Sequence, residues 1–401
     1  MHSIIMMKYN FDEIIPRRGT NSVKWDETSI EDVIPLWVAD MDFRTFPPII
    51  EALHRRVDHG VFGYTHVPES YYESVISWFS KRHGLSGVVP ADIIYTTGVV
   101  PAVSAIIRGL TLPGDKVLIQ TPVYNCFFSS IRNQGCIVEE NHLIYENNTY
   151  TIDWEDFERK CSDSRVRIFL LCNPHNPAGR VWTVEELRRM GEICLKYDVF
   201  VIADEIHCEL VMPGLHYTPF TSLSSEFLHN SATCVAPTKA FNIAGLQIAN
   251  IIVKDSHKRE RIDRAINLHE VCDVNPFGVI ATEVAYTGEG AEWLSQLNEY
   301  IAQNYDYLCQ FIAGQLPQFC VVKLEGTYLS WVDCSALGVP SSVLVECLLT
   351  KYGVWLNDGE MYGEKNRSFV RINLACPRAV LAEGLQRMAR GISSFSRARI
   401  L

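Results

Sequence analysis

Short apolar segments alternate with amphipathic segments along most of this chain. Six of the apolar segments have the length and composition of buried strands, and they lie at 93–96, 116–119, 167–172, 199–203, 232–236 and 248–253. Strands that are separated by helices of about ten to fifteen residues form βαβ units, whose strands run parallel in one sheet. The alternation therefore predicts an α/β fold built on a mostly parallel sheet.

The pattern changes beyond about residue 288. One long helix is predicted at 293–316, and strands are predicted at 319–324, 327–332 and 368–374. This order is typical of an α+β unit. We therefore expect a large domain at 49–288 and a smaller α+β domain formed by 1–48 and 289–401.

Charge and composition restrict the partners of the chain. It has 401 residues, of which 47% are hydrophobic, and a formal net charge of -11. An acidic surface offers no favourable field to nucleic acid or to an anionic membrane. No run of apolar residues is long enough for a transmembrane helix, and the first residues do not resemble a signal peptide. We expect a cytoplasmic protein with a small-molecule substrate.

The chain has 13 cysteines with no C-x-x-C pair, so the spacing of a zinc site is absent and no metal is expected. Several of the cysteines lie in apolar segments, namely Cys172, Cys194, Cys234 and Cys347. Buried free thiols in a reducing compartment fit this pattern best.

Residues that can offer a polar side chain or a free backbone N–H to a ligand follow several of the predicted strands. The set comprises Val99 and Val100 after Gly98, Tyr124, Asn176, Asp204 with His207, and Lys239 after Thr238; Arg371 lies in a predicted strand of the smaller domain. Open α/β sheets bind their ligands beyond the carboxyl ends of the strands. Each residue alone has an ordinary structural explanation, such as a turn, a helix cap or a salt bridge. Together, in this order, they indicate one site.

One ligand would use the whole set. The Gly98 turn, followed by a helix that Pro101 opens, provides the backbone N–H groups of a phosphate site. Tyr124 could stack on a flat ring, Asp204 could pair with a basic ring nitrogen, and Lys239 could bind an aldehyde. A lysine Schiff base with an acidic partner for the ring nitrogen is the usual sign of pyridoxal phosphate. The sequence therefore predicts a pyridoxal-phosphate enzyme.

These residues carry a resemblance to a known family. Asn173-Pro-x-Asn-Pro-x-Gly179, Asp204 and Thr238-Lys239 resemble fold-type I pyridoxal-phosphate enzymes of the class I/II aminotransferase superfamily, which implies a seven-stranded sheet. Within it, the chain is similar to the cystathionine β-lyase branch, the MalY/PatB-type C–S lyases. The stretches that support the branch are Leu36–Phe43, Phe62–Thr65, Asp204–His207 and Lys239–Gly245.

The resemblance implies a role for each position of the cofactor site. Lys239 would hold the cofactor and later act as the base, Asp204 would pair with the pyridinium, and Tyr124 would stack on the ring. Asn176 would bind the phenolic oxygen. The remaining cofactor positions are Val99, Val100, His207, Thr238 and Tyr64, of which Tyr64 would serve the neighbouring subunit of a homodimer.

For the substrate, the resemblance implies that Arg371 and Asn176 bind the carboxylate side, while Ala39, Asp40 and Tyr64 form the rim. Aminotransferases of the superfamily commonly have a Tyr at the position of His207 and an Arg at the position of Gln247, and both departures agree with the C–S lyase branch. The implied reaction is α,β-elimination from L-cystathionine or a related cysteine S-conjugate. A class I/II aminotransferase, and a binding protein on a retired enzyme fold, are the alternatives.

Overall fold

The computed structural model describes residues 8–269 and 274–398 of the chain. The helices are α1 (Val23–Asp26), α2 (Pro47–Asp58), α3 (Glu69–His83), α4 (Val99–Leu110), α5 (Cys126–Arg132), α6 (Trp154–Cys161), α7 (Val184–Lys196), α8 (Ser225–His229), α9 (Ser256–Ile266), α10 (Pro276–Ala285), α11 (Gly288–Gln315), α12 (Ser341–Tyr352) and α13 (Arg378–Ala398). The strands are β1 (Ile34–Pro35), β2 (Ile93–Thr96), β3 (Lys116–Thr121), β4 (Ile137–His142), β5 (Ile144–Glu146), β6 (Thr149–Thr151), β7 (Val166–Cys172), β8 (Phe200–Asp204), β9 (Ser231–Val235), β10 (Ala249–Val253), β11 (Cys320–Val321), β12 (Leu329–Asp333), β13 (Val354–Trp355), β14 (Asn357–Asp358) and β15 (Phe369–Asn373).

The central element is a seven-stranded sheet with the strand order β2-β10-β9-β8-β7-β3-β4. The pairs β9–β8, β8–β7, β7–β3 and β3–β4 are parallel, whereas β10 runs antiparallel to both of its neighbours. The predicted α/β class, with a mostly parallel sheet of seven strands, is confirmed. Strand β4 is absent from the six strands that the apolar segments predict.

Side chains of the central strands alternate between two cores. Ile168, Leu170 and Cys172 of β7 point to the layer of α4, α5 and α9, while Phe169 and Leu171 point to the layer of α6, α7 and α8. Strand β8 alternates in the same way, since Phe200 and Ile202 face the α4 layer. The period of two places Asp204, at the end of β8, on the α4 side of the sheet.

A second sheet of four antiparallel strands, ordered β11-β12-β15-β14, packs with α12 and α13. Its central strand β15 carries Arg371. The predicted strand at 319–324 is shorter than expected, because only Cys320–Val321 pairs with β12. Strand β1 of the N-terminal segment pairs with β13 in a separate two-stranded sheet. The N–H of Asn373 in β15 donates to the oxygen of Leu36 at 2.9 Å, so this segment also contacts the smaller sheet.

Helix α11 contributes to two further hydrophobic clusters. Its first half contributes Trp293 and Leu297 to the cluster around Phe241, and its second half contributes Leu308 and Ile312 to the core of the smaller sheet. The helix begins before the predicted residue 293 because Thr287 caps it, accepting a hydrogen bond at Oγ1 from the N–H of Gly290 at 3.2 Å. The domain boundaries near residues 49 and 288 remain a prediction.

Helix α4 begins at Val99, two residues before Pro101, so the proline lies in the first turn rather than at its start. Among the described cysteines all are free; Cys172, Cys194 and Cys234 are buried as expected, whereas Cys347 is only half-buried. No helix within 8–269 and 274–398 has the length and apolarity that crossing a membrane requires.

Two helical glycines give a matched test of the packing. A Cβ on Gly191 of α7 would lie 2.4 Å from the ring of Phe227, whereas a Cβ on Gly314 of α11 would meet nothing within 4 Å. We expect Gly191→Ala to lower the free energy of unfolding by about 1–2 kcal/mol, because overpacking outweighs the gain in helix propensity. Gly314→Ala should raise it by up to about 1 kcal/mol. Thermal unfolding of both variants measures the difference, and a Gly191→Ala protein at least as stable as wild type would contradict the packing of α7 on α8.

Candidate active site

A cavity of about 210 Å³ opens at the carboxyl ends of the central strands. The residues that line it are Ala39, Thr97, Gly98, Val99, Val100, Pro101, Tyr124, Cys172, Asn176, Asp204, Ile206, His207, Thr238, Lys239, Ala244 and Gln247. They come from the ends of β2, β3, β7, β8 and β9 and from the N-terminal segment. The sheet thus brings together most of the residues that the sequence predicts for one site.

Lys239 follows β9 and points into this cavity. Its Nζ donates a hydrogen bond to the backbone oxygen of Ala39 at 2.5 Å. Burial lowers the pKa of the Lys239 amine to about 8, Asp40 opposes this change, and the positive charge of Arg371 adds to it. The amine is still mostly protonated at pH 7, but its unprotonated fraction, which a nucleophile or a base requires, is far larger than that of an ordinary lysine.

Asp204 lies in a row of three side chains across the sheet. In the register of the parallel strands it is paired with Cys172 on one side and with Cys234 on the other. Its Oδ1 accepts a hydrogen bond from the N–H of Ile206 at 3.2 Å. Burial between the two thiols raises the pKa of Asp204 to about 7, although the Ile206 N–H and Lys239 oppose the rise. A cation placed beside this carboxylate would be strongly stabilised.

His207 lies one turn beyond Asp204 and is also buried. Burial, with the positive charges of Lys239 and Arg371, lowers the pKa of the His207 imidazole to about 3, so the ring is neutral. Its Nδ1 is buried without a hydrogen-bond partner among the described residues. The ring meets that of Tyr328 edge to face at a centroid distance of 6.0 Å.

The turn after β2 also lines the cavity. Gly98 is the N-cap residue of α4 and makes no side-chain capping bond, and Val99 and Val100 form the first helical positions. The free N–H groups and the positive end of the helix dipole at such a terminus favour an anion. Because the helix begins at Val99, both predicted valines belong to its first turn.

Tyr124 and Asn176 lie on two loops that are joined behind the cavity. His175 is fully buried, and its Nε2 lies 2.7 Å from the backbone oxygen of Pro122. Burial lowers the pKa of His175 to about 4, so the ring is neutral and Nε2–H is the donor. This bond ties the loop after β3 to the loop after β7. Burial also raises the pKa of the Tyr124 phenol well above its usual range.

Arg371 reaches the site from the smaller sheet. Its Nη1 donates to Oδ1 of Asn176 at 3.2 Å and its Nη2 donates to the backbone oxygen of Trp37 at 2.9 Å. The guanidinium lies over the ring of Tyr362, 5.0 Å from the centroid. Its Nε is buried without a partner among the described residues. A buried guanidinium with an unused donor is suited to a carboxylate.

Three predicted site residues are not among those that line the cavity, namely Arg371, Asp40 and Tyr64. The carboxylate of Asp40 pairs with Arg17 at 2.6 Å, and its neighbour Ala39 lines the cavity. Tyr64, in the loop between α2 and α3, is 96% exposed in the single chain. The roles of Asp40 and Tyr64 at the rim of the site stay predictions.

The sequence did not single out Tyr328 or Cys172 as site residues. The Tyr328 hydroxyl donates to the backbone oxygen of Ala39 at 2.9 Å, next to the Lys239 amine. Tyr328 precedes a strand that belongs to the other sheet, so sequence position alone gives no signal. The position of Cys172 could have been deduced, because it ends an apolar strand directly before Asn173.

The donor set fits pyridoxal phosphate. A buried carboxylate with a raised pKa and no salt bridge to a described residue, Asp204, suits a protonated ring nitrogen. The Lys239 amine has the lowered pKa that an aldehyde-binding lysine needs. The first turn of α4 offers the anion site at the far end. These are observations on the side chains themselves, independent of any relative.

Comparisons with known proteins agree with this geometry. Residues 31–388 match the family model of aminotransferase class I and II. The chain is 42% identical over 388 residues to cystathionine β-lyase PatB of Bacillus subtilis, an alignment that covers 96% of this chain and 100% of PatB.

Two solved structures are also similar. One is a pyridoxal-phosphate-bound protein from Clostridium difficile, provisionally described as an aminotransferase (TM-score 0.93, 42% identity, 96% of this chain and 100% of that one). The other is cystalysin from Treponema denticola, which contains pyridoxal 5'-phosphate (TM-score 0.93, 36% identity, 97% of this chain and 100% of that one). The fold, the polar edge of the sheet and these similarities together place the chain in the class I and II aminotransferase family.

Proposed function

We propose that this protein is a pyridoxal-phosphate-dependent carbon–sulfur lyase that cleaves L-cystathionine or a related cysteine S-conjugate by α,β-elimination. The products are pyruvate, ammonia and a thiol. The observation that carries this proposal is the 42% identity to a cystathionine β-lyase over its whole length. The cavity supports it with a lysine, a carboxylate and an anion site in one space.

The cofactor would be held by residues at both ends of the cavity. Lys239 would bind its aldehyde, Asp204 would pair with its ring nitrogen, and Tyr124 would stack on the ring. Val99 and Val100 would donate backbone N–H groups to the phosphate. Pyridoxal phosphate, when bound, supplies an electron sink for negative charge at the α-carbon of an amino acid.

Three further side chains complete the proposed cofactor site. Asn176 would donate to the phenolic oxygen, and Thr238 and His207 line the same cavity. Because the pKa of His207 is lowered to about 3, it would act there as a neutral hydrogen-bonding group and not as a cation.

Arg371 would orient the substrate by its carboxylate. The guanidinium already has Asn176 and Trp37 as fixed partners, so its direction is set before the substrate arrives. Bound in this way, the substrate would direct its α-hydrogen towards Lys239 and its side chain towards the segment Trp37–Asp40. Orientation of this kind lowers the barrier without any change in the reacting groups.

Lys239 would move the proton. With a pKa lowered to about 8, its amine can take the α-proton as a base near neutral pH. The bond between the β-carbon and sulfur then breaks, and the electron pair leaves with the sulfur. Lys239 or Tyr124 would return a proton to the thiolate; the raised pKa of Tyr124 keeps its phenol protonated for this step.

An aminotransferase is the second candidate. The family name and the provisional description of the Clostridium difficile protein favour it. It would use the same lysine, carboxylate and arginine, and would differ only in the fate of the substrate after the α-proton has left. Reaction products, not site residues, therefore distinguish the two.

We also propose a homodimer with shared active sites. Val61, Phe62 and Tyr64 are 63%, 57% and 96% exposed in the single chain, although all are large and apolar or aromatic. Such a loop is expected to be covered by a partner. In the dimer, Tyr64 would reach the phosphate of the partner's cofactor. We also propose a cytoplasmic location, because free thiols persist in a reducing compartment.

The roles of Lys239 and Asp204 predict two different losses. Lys239→Ala should lose the near-visible absorbance of the bound cofactor and nearly all turnover, since anchor and base are one residue. Asp204→Asn should keep an absorbance band but lose turnover by about two orders of magnitude or more, because an amide stabilises a protonated ring nitrogen poorly. Absorbance spectra and pyruvate release measure both.

Lys351→Ala is the matched control, since Lys351 is exposed on α12. It should behave as wild type in both measurements. A Lys239→Ala protein with the wild-type spectrum, or an Asp204→Asn protein with wild-type turnover, would remove the corresponding assignment.

The choice of reaction can be tested on the wild-type enzyme. L-Cystathionine should give equal amounts of pyruvate and free thiol, because the β-carbon carries a leaving group. L-Alanine with an added keto acid should react much more slowly. Pyruvate, followed by lactate dehydrogenase, and thiol, followed by a disulfide reagent, measure the first reaction. Rapid transamination of alanine without thiol release from cystathionine would assign the protein as an aminotransferase.

Hybrid dimers test the shared site. Tyr64→Phe and Lys239→Ala proteins, each of low activity alone, should recover activity when their subunits are exchanged, because one site of each hybrid then carries neither substitution. Sedimentation of the wild-type enzyme should give twice the chain mass. A fully active monomer would exclude the proposed arrangement.

A further inference from the structure

The backbone from Trp37 to Asp42, here called the wall segment, forms one side of the active site through its carbonyl groups. The oxygen of Trp37 accepts from Arg371 and that of Ala39 accepts from Lys239 and Tyr328. Nδ2 of Asn373 donates to the oxygens of Val38 and Asp40, at 2.6 and 2.7 Å. The residues that bind cofactor and substrate are thus oriented by main-chain atoms of this segment.

The side chains of the wall segment are held from the other side. Arg17 bridges two carboxylates, donating from Nη2 to Oδ2 of Asp40 and from Nη1 to Oδ1 of Asp42, both at 2.6 Å. Lys24 donates from Nζ to Oδ2 of Asp42 at 2.8 Å, and its side chain is fully buried. The indole N–H of Trp25 completes the set at 2.8 Å from Oδ1 of Asp42. We call Arg17, Lys24, Asp40 and Asp42 the clamp.

The clamp also contacts the backbone of the wall segment directly. Nη1 of Arg17 donates to the oxygen of Met41 at 3.1 Å, and Nζ of Lys24 donates to the oxygen of Asp40 at 3.3 Å. Two positive and two negative charges balance, and a buried pair of this kind resists separation because each charge left alone would be poorly solvated. The backbone between Ala39 and Asp42 therefore has little freedom to move.

A nearby ion pair shows what an ordinary surface contact looks like. Arg44 and Glu13 bind each other at 2.9 Å, but their side chains are 60% and 42% exposed. Exposed pairs contribute little to stability. Arg44 follows the wall segment directly and makes no contact with its carbonyl groups among the described residues.

We infer that Arg17 and Lys24 are positioning residues for substrate binding, which act by fixing the carbonyl groups of Trp37 and Ala39 against Arg371 and Lys239. This inference rests on the proposed function, since it concerns the same site. The charges of Arg17 and Lys24 are paired with Asp40 and Asp42, whereas Nε of Arg371 has no partner among the described residues, so we assign the substrate contact to Arg371 alone. If the wall segment shifts, Arg371 loses the acceptor that sets its direction, and the amino-acid carboxylate is bound less tightly.

The test compares Arg17→Met and Arg17→Lys with Arg44→Met in the cofactor-loaded enzyme. Arg17→Met should raise KM for L-cystathionine about tenfold while kcat changes less than about threefold, because orientation before reaction is lost and the reacting groups remain. Arg17→Lys, which keeps the charge but cannot bridge both carboxylates, should give a smaller rise in KM. Arg44→Met should match wild type.

Amide hydrogen exchange provides a measurement independent of activity. In Arg17→Met the N–H groups of Met41 and Asp42, which are bonded to Asn242 and Ala375, should exchange faster, while those of the central strands should not. Faster exchange with an unchanged KM would reduce the clamp to a structural role and overturn the inference, as would unchanged exchange. If Arg17→Met does not fold, Arg17→Lys decides by the same two measurements.

These measurements distinguish a failure of the clamp inference from a failure of the proposed function. A wild-type enzyme that releases no thiol from cystathionine would end the lyase proposal, and KM would then be compared for the amino acid that it does convert. The exchange result for the wall segment would stand in either case.

Discussion

The convergence of parallel strands at one edge is the constraint on which this structure depends. Strands β3, β7, β8 and β9 end side by side, and each end is followed by a residue that lines one cavity. The sheet is buried on both faces, so the strand ends are the places where polar groups can lie close together and still reach a ligand. The register of the strands decides which of these residues lie side by side, as the row of Cys172, Asp204 and Cys234 shows.

Burial at this edge changes the chemistry of the groups it gathers. The pKa of Asp204 rises to about 7 and that of Lys239 falls to about 8, so an acid and a base of very different strength become nearly equal. Desolvation acts in opposite directions on an anion and a cation, which explains both changes with one cause. At an exposed position neither pKa would change in this way, because desolvation would be absent. Burial at the strand ends is therefore what brings the pKa values of the two groups close together.

The sequence predicted the centre of this fold better than its edges. Buried strands such as β7 and β8 are nearly continuous apolar runs, so they were found directly. Strand β4 is an edge strand that contains Glu139 and Glu140 and forms a salt bridge to Lys116 at 2.6 Å, so it lacks an apolar signal. The antiparallel direction of β10 is also invisible in the sequence, because composition does not encode strand direction.

The same contrast holds for the site. The residues after the central strands do line one cavity, as expected from the rule that open α/β sheets bind ligands beyond the carboxyl ends of their strands, which needs only the order of elements. The roles of Asp40 and Tyr64 at the rim come from family resemblance, Tyr64 serving the neighbouring subunit, and both stay predictions. The position of Tyr328 and the pairing of Asp40 with Arg17 depend on packing between segments that are distant in the sequence, 289 positions apart for Tyr328 and Ala39. No local pattern carries that information.

The wall segment contributes backbone oxygen atoms, which every amino acid possesses. This limits how substitutions within the segment can change the substrate specificity of such an enzyme. A substitution at Ala39 or Trp37 leaves the carbonyl in place, so an alanine scan of the segment would miss its contribution. Mutation reaches these atoms only through residues that support the main chain, such as Asn242 and Asn373, which lie far apart in the sequence. Selection for new substrates would therefore leave its traces away from the pocket, at positions that a pocket-centred mutagenesis library omits.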